Sequence, residues 1–255
     1  MSTVDSLLLK AKANLFALAG NPYVGRGIIA GLDETGDDLV QVYWIMGRGE
    51  NSRNRVFSCD KNGRLFTEAA DPSKMRDASL IIYNAMREAS RAGRNHYVVS
   101  NGAQTDAVAG DCANGNGDFH ETMSGWGYEP DVPNFTPRIT AVSFWNSLSV
   151  GAAMVRMSLL RKSPWSRICD RLLYEFNDIG HGLGYCLTTY RGDGDPLPAF
   201  QGEPYLLPLS GGARDIAETY WKALNVDNRV SLAVKFIPKD GLSKIEIINK
   251  YSKVA

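Results

Sequence analysis

Residues 48–55, Arg48-Gly49-Glu50-Asn51-Ser52-Arg53-Asn54-Arg55, bring three arginines, two asparagines and a serine together directly after an apolar run. Guanidinium and amide groups at that density suit a phosphate or a developing oxyanion, although a solvated loop would also account for them. A second polar island, Ser100-Asn101-Gly102-Ala103-Gln104-Thr105-Asp106, follows the β-type run Tyr97-Val98-Val99. Such a break gathers amides, hydroxyls, a carboxylate and free backbone N–H groups at a strand end, where ligands are often held. Near the start, Arg26 stands between Gly25 and Gly27, so a ligand can approach it without meeting neighbouring Cβ atoms. Tyr83-Asn84 sets two polar tips in an apolar run, and a buried tyrosine hydroxyl needs a partner. Segment 128–138 carries Glu129, Asp131 and Arg138 among three prolines, which stiffen it and restrict the residues before them.

These islands need elements to position them. Residues 4–19 repeat apolar positions at helical spacing, with Gly20 as the stop. Segments 23–31 and 39–47 read as strands across a turn-rich 33–38. Segments 56–59 and 64–67 flank Lys61-Asn62-Gly63, a hairpin signal. Segment 79–87 is ambiguous and is read as a strand that turns at 92–95 into 96–100. Residues 104–125 read as helical with a break at 114–117. Segments 138–145, 151–160, 172–176 and 184–190 read as strands, 212–224 as a helix, and 230–237 with 244–248 as a final hairpin. The predominance of strands with interspersed helices suggests sheets covered by helices.

The 255 residues suffice for one sizeable core. Net charge is zero, from 28 basic and 28 acidic residues, so no global field exists to hold nucleic acid or an anionic membrane. No run of about 20 apolar residues suggests a membrane span, and no signal-peptide pattern is evident. Cys59, Cys112, Cys169 and Cys186 match no zinc or redox spacing, and free thiols in a cytoplasmic protein are expected. His96, His120 and His181 are too dispersed for a metal site. Gly180-His181-Gly182-Leu183-Gly184 lacks the lysine of a phosphate loop, and Asp193 with Asp195 reads as a turn rather than a calcium loop.

Taken in order, the islands resemble the archaeal-type IMP cyclohydrolase family. Tyr23-Val24-Gly25-Arg26, Asn54-Arg55, Tyr83-Asn84, Ser100-Asn101-Gly102 with Thr105-Asp106, Tyr128-Glu129 and Thr136-Pro137-Arg138 carry the likeness. It covers about 21–145 well and the rest loosely. Residues 1–20 read as an added helical extension and 21–255 as a single domain, with loop 191–208 unmatched.

The resemblance implies an α+β fold, a four-layer αββα sandwich similar to the N-terminal-nucleophile hydrolases. It implies closure of the formamido and carboxamide groups of formamidoimidazole-carboxamide ribonucleotide (FAICAR) to give IMP and water. Arg55, Tyr83 and Glu129 form the implied catalytic set: Arg55 for the oxyanion, Tyr83 as proton relay, Glu129 to orient the carboxamide or accept its proton. Arg26, Arg53, Asn54, Asn84, Asn101, Gly102, Thr105, Asp106 and Arg138 are the expected substrate contacts, with Arg26, Arg53 and Arg138 as candidates for the 5′-phosphate. No metal or organic cofactor is expected, the partner is a purine ribonucleotide rather than nucleic acid or membrane, and a homo-oligomer is anticipated. Two alternatives remain: a purine-nucleotide-binding protein without catalysis, and an amidohydrolase of the N-terminal-nucleophile type. The second needs a small nucleophile ahead of the first core strand, where Asn21-Pro22-Tyr23 stands instead.

Overall fold

A computed structural model of the chain describes residues 3–76, 78–115, 118–146 and 152–253. The element order begins α1 (Thr3–Ala19), β1 (Gly27–Leu32), β2 (Asp38–Met46), α2 (Glu50–Arg53), β3 (Val56–Cys59), β4 (Leu65–Glu68), β5 (Asn84–Arg91) and β6 (Arg94–Ser100). It continues with α3 (Gln104–Asn114), α4 (Phe119–Ser124), β7 (Arg138–Asn146), β8 (Ala152–Lys162), β9 (Cys169–Phe176) and β10 (Leu183–Thr188). It closes with β11 (Tyr205–Pro208), α5 (Ala213–Ala223), β12 (Arg229–Pro238) and β13 (Lys244–Asn249). The fold is α+β, built on two antiparallel sheets. One has six strands in the order β11-β10-β1-β2-β12-β13, the other seven in the order β3-β4-β5-β6-β7-β8-β9.

Strand alternation sorts side chains to the two faces of each sheet. In β2, Leu39, Tyr43 and Ile45 enter the core between the sheets, while Val40, Val42, Trp44 and Met46 face the helical side. Both faces are buried, which is why β2 reads as an almost unbroken apolar run. The inter-sheet core joins Ile28, Ala30 and Tyr43 to Val99, Ala141, Val155 and Met157. Gln41 crosses it, donating from Nε2 to Tyr97 O at 2.8 Å and to Ser143 Oγ at 3.1 Å. Leu18, Ile216, Ala217 and Tyr220 cover the six-stranded sheet from α1 and α5. Val108, Ala109 and Met123 from α3 and α4 cover the other, against Val98, Val142 and Leu160. The helix at 3–19 therefore packs on its own chain, where Asn14 Nδ2 also donates to Leu206 O of β11 at 2.9 Å.

Three expected boundaries shift and one strand is new. Residues 23–26 are loop rather than the start of β1, because Gly25 turns the chain at φ +71°. Segment 79–83 is not strand: Ile81 and Ile82 N both bond Ala78 O, and β5 begins only at Asn84. β9 begins at Cys169, ahead of the apolar stretch that signalled it. β11, within the unmatched 191–208, was not expected; four residues ending at Pro208 give too short a pattern to register. The hairpin about Asn62-Gly63 is present, with Gly63 at φ +72°, and so is the final β12–β13 pair. The break at 114–117 falls partly on residues 116 and 117, outside the described residues. All four cysteines are free thiols. No helix among the described residues is long and apolar enough to cross a membrane.

Candidate functional site

The site begins at the loop that delivers Arg26. A Cβ on Gly25 would lie 2.2 Å from Thr189 Oγ1 and 2.5 Å from the Tyr190 ring, so only glycine fits there, on steric grounds as well as through its positive φ. With that approach allowed, Tyr190 N bonds Val24 O and Thr189 N bonds Arg26 O at 2.9 Å. Arg26 N in turn donates to Thr189 Oγ1 at 3.1 Å. The backbone of Arg26 is thus clamped beside the end of β10, and its side chain is aimed between the sheets.

There Arg26 Nη2 meets both carboxylate oxygens of Glu129, at 2.6 and 2.7 Å. Arg26 is 9% exposed and Glu129 2%. Glu129 stands in the proline-stiffened loop, where its N donates to Thr136 O at 2.8 Å. Asp131 braces the same loop by accepting from Thr136 N. The Thr136 hydroxyl contacts both Asp131 and the Tyr190 hydroxyl. Burial pushes the Glu129 carboxyl above its ordinary pKa, against the opposing pull of Arg26. Burial opposes the charge on Arg26 too, but Glu129 together with the phenols of Tyr83, Tyr190 and Tyr43 outweighs it and raises the guanidinium well above its ordinary pKa.

Asn101 is the joint of this frame and is fully buried. Its Nδ2 donates to Pro137 O at 2.9 Å and to Glu129 Oε1 at 3.4 Å. Its Oδ1 accepts from Ile139 N at 2.8 Å and Gln104 Nε2 at 3.1 Å. One amide therefore ties the end of β6, the start of β7, the start of α3 and the carboxylate together. Gly102 follows it because Arg138 Nη1 would lie 2.4 Å from any Cβ there. Arg138 bonds Gln104 Oε1 at 3.0 Å and lies over Trp126.

Arg55 enters from the other side, just after the single turn of α2. Ser52 Oγ closes that turn on the backbone N and O of Gly49, and Arg55 Nε donates to Ser52 O at 2.9 Å. Arg55 is 1% exposed and has no ion pair among the described residues. Burial, and the positive charge of Arg26, lower its pKa, with the phenols of Tyr83, Tyr43 and Tyr23 pulling the other way. Close by, the hydroxyls of Tyr83 and Tyr43 share a hydrogen bond of 2.6 Å. Burial pushes Tyr43 well above the usual phenol range, and the Tyr83 hydroxyl adds to that.

These groups border a cavity of about 420 Å³ lined by Arg26, Arg55, Glu129, Asp131, Arg76, Leu80, Ile81 and the residues of the α2 turn. Of the residues expected from sequence, Arg26, Arg55 and Glu129 line it. Tyr83 lies within electrostatic reach of both guanidiniums, and Asn101 and Arg138 stand behind Glu129. Arg53 and Asn54 instead line a neighbouring cavity of about 490 Å³ across α2, where the Asn54 amide bonds Asp71 N and O at 2.7 and 2.8 Å. Thr105 is buried and bonded to Gly102 O. Asn84 and Asp106 form an exposed cluster with Arg87 against α3, apart from the cavity. Sequence reasoning missed Tyr43, Tyr190 and Arg76. A tyrosine within the apolar run 39–47 was the available signal for the first, since its hydroxyl must find a partner when buried.

The arrangement can bind an anion or a polarised carbonyl, hold a fixed carboxylate beside it, and pass a proton along a phenol pair. No group of three or more His, Cys, Asp or Glu side chains among the described residues could hold a metal. Neither a curated protein nor a solved structure matches the chain. The sequence model of the IMP cyclohydrolase-like protein family matches residues 23–241, a span that runs from the loop presenting Arg26 through β12 into the turn of the final hairpin and takes in every residue of the cavity. The chain belongs to the IMP cyclohydrolase-like protein family.

Proposed function

We propose that the protein is an IMP cyclohydrolase, closing FAICAR to IMP and water in purine synthesis. The observation that carries this reading is the pairing of charges in the cavity: Arg26 is neutralised by Glu129, whereas Arg55 is equally buried and has no acidic partner among the described residues. A buried guanidinium without a carboxylate is ready for negative charge that arrives with, or develops on, a ligand.

In the reaction, the carboxamide nitrogen attacks the formyl carbon and the carbonyl electron pair moves to oxygen. That oxygen takes two protons, one shed by the attacking carboxamide nitrogen and one by the formamido N–H, and leaves as water while the formamido nitrogen's electron pair forms the new C=N bond. Both groups sit on one imidazole, so the enzyme must hold them in a near-attack conformer. Arg55 stabilises the oxyanion; one such donor is worth about 3–4 kcal/mol. The Tyr83–Tyr43 pair relays a proton to the departing oxygen. Glu129, fixed by Arg26 and Asn101, orients the carboxamide NH₂ or accepts its proton, help worth roughly 10²–10⁴-fold. The αββα likeness to N-terminal-nucleophile hydrolases belongs to the same reading, without their chemistry: the segment 20–26 leading into β1 offers no Ser, Thr or Cys.

Purified protein incubated with FAICAR is expected to form IMP, followed by absorbance. Tight IMP binding with no FAICAR turnover would favour a nucleotide-binding protein instead. Wild-type turnover in both Tyr83→Phe and Glu129→Gln would sink the mechanism.

A further inference from the structure

A further cavity, of about 460 Å³, opens on the outer face of the seven-stranded sheet, where the end of α3 and the start of α4 meet β5, β6, β7 and β8. Its floor is apolar, with Val142 and Phe144 from β7 and Phe119 from α4. Its rim is cationic. Arg91 and Arg94 stand at the tip of the β5–β6 hairpin and Arg156 projects from β8.

The side chains of Arg91 and Arg94 have no ion pair or hydrogen bond among the described residues. Arg91 lies against the last turn of α3, occupying the space a Cβ on Gly115 would need. Arg156 is shared between Glu175, at 2.6 Å, and the face of Phe144. His96 leans on the same ring, with centroids 5.1 Å apart, and its Nδ1 is buried without a hydrogen-bond partner. The single carboxylate on the lining, Asp111, is already engaged by the Thr122 hydroxyl at 2.7 Å.

Three guanidiniums and an imidazole share one concave pocket, and of the three only Arg156 has carboxylate partners among the described residues, Glu175 and Asp118. In a chain of zero net charge, that concentration is local rather than a by-product of composition. Guanidinium forks match phosphate oxygens in geometry. The cavity falls within the usual range for small-molecule sites, about 300–1,000 Å³, and its apolar floor has room for a flat ring.

We propose that this cavity is a second ligand site, taking a phosphate monoester with a planar aromatic body, of the size of a nucleoside monophosphate. Arg94 and Arg156 hold the phosphate, beside the ring of His96. Phe119, Val142 and Phe144 cover the ring. None of these residues belongs to the cavity between the sheets, so the proposal stands whether or not FAICAR is turned over.

The test follows the His96 ring by NMR, a readout local to this cavity, during titration with AMP and separately with inorganic phosphate. Saturable movement of His96 with AMP is expected, weakened about tenfold or more in Arg94→Ala/Arg156→Ala. Inorganic phosphate should bind about tenfold more weakly than AMP, having no ring to stack. Arg94→Ala alone, at an exposed position, serves if the double variant melts early. A His96 signal unmoved by AMP, or equal affinity in the variants, overturns the proposal. Equal affinity for AMP and phosphate overturns the aromatic part of it.

Discussion

The cavity between the sheets and the cavity outside the seven-stranded sheet both gather arginines, but they hold them differently. Inside, Arg26 is bonded to both oxygens of Glu129, and Asn101 braces the carboxylate from behind. Outside, Arg91 and Arg94 stand at a hairpin tip with no acidic partner among the described residues, and water does most of the work of keeping them charged. Removing a charge from water costs several kcal/mol, so the inner cluster depends on its internal partners and the outer one does not. Arg55 is the exception inside: it is buried, yet the one hydrogen bond of its side chain among the described residues goes to Ser52 O. The difference teaches where stability and function part company. On the proposed reading, the compensated pair holds Glu129 in place, and the uncompensated Arg55 is left for the oxyanion.

Breaking the compensated pair gives the largest effect. Glu129→Ala leaves Arg26 buried without its carboxylate and is expected to cost about 3–5 kcal/mol in chemical denaturation. Replacing both partners together, as Arg26→Met with Glu129→Leu, should recover most of that loss, because no charge is then stranded. If Glu129→Ala unfolds at the wild-type midpoint, the ion pair is not holding the frame.

Arg55 should behave in the opposite way. Arg55→Met removes a buried charge that nothing neutralises, so stability should change little or rise. Turnover of FAICAR should fall by about 10²–10³-fold in kcat, the usual loss for one oxyanion donor. A variant equally impaired in stability and turnover would erase the distinction between the two buried arginines.

Much of the scaffold was legible in the sequence because it rests on local rules. The alternation in β2, the Asn62-Gly63 hairpin and the helical spacing of 4–19 each report on residues a few positions apart. β11 escaped because four residues ending in proline carry too little pattern. The site was legible as a set of residues but not as a set of partnerships. Arg26 read as a ligand contact and does line the cavity, but its Nη2 is bonded to a carboxylate 103 positions away. Asn101 read as a pocket wall, and its amide also joins Glu129 to Pro137, Gln104 and Ile139. Asn54 and Thr105 are similarly turned to backbone partners. Asn84, next to Tyr83 in sequence, opens β5 and bonds Asp106 of α3, so both belong to the helix-covered side of the sheet. Tyr43 went unnoticed because an apolar strand hides a hydroxyl until its partner, Tyr83, is known.

The outer cavity offers the smallest and most specific contrast. Arg94→Ala should leave stability within about 0.5 kcal/mol of wild type, as surface substitutions usually do. Its imprint should appear in the pH dependence instead. Burial, and then the charges of Arg156 and Arg94, lower the His96 pKa below its ordinary 6.5. The other charged groups near it act on the same ring: Arg91 adds to the positive field, while Asp111, and Asp118 and Glu175 beside Arg156, oppose it. With the folded-state pKa depressed, the unfolded chain binds more protons between that value and 6.5. Stability is therefore full above about pH 6.5 and declines as pH drops towards the folded-state pKa of His96. The loss should stay under about 1 kcal/mol, because the ring is only half-buried and solvent screens it. Arg94→Ala should shrink that acid decline, and His96→Gln should abolish its histidine component. Melting curves between pH 5 and 8 on the three proteins, a range set by the imidazole titration, read this directly. An acid decline of the same size in all three would mean that His96 does not sense the arginines around it, and that the outer cavity lacks the positive field on which its ligand depends.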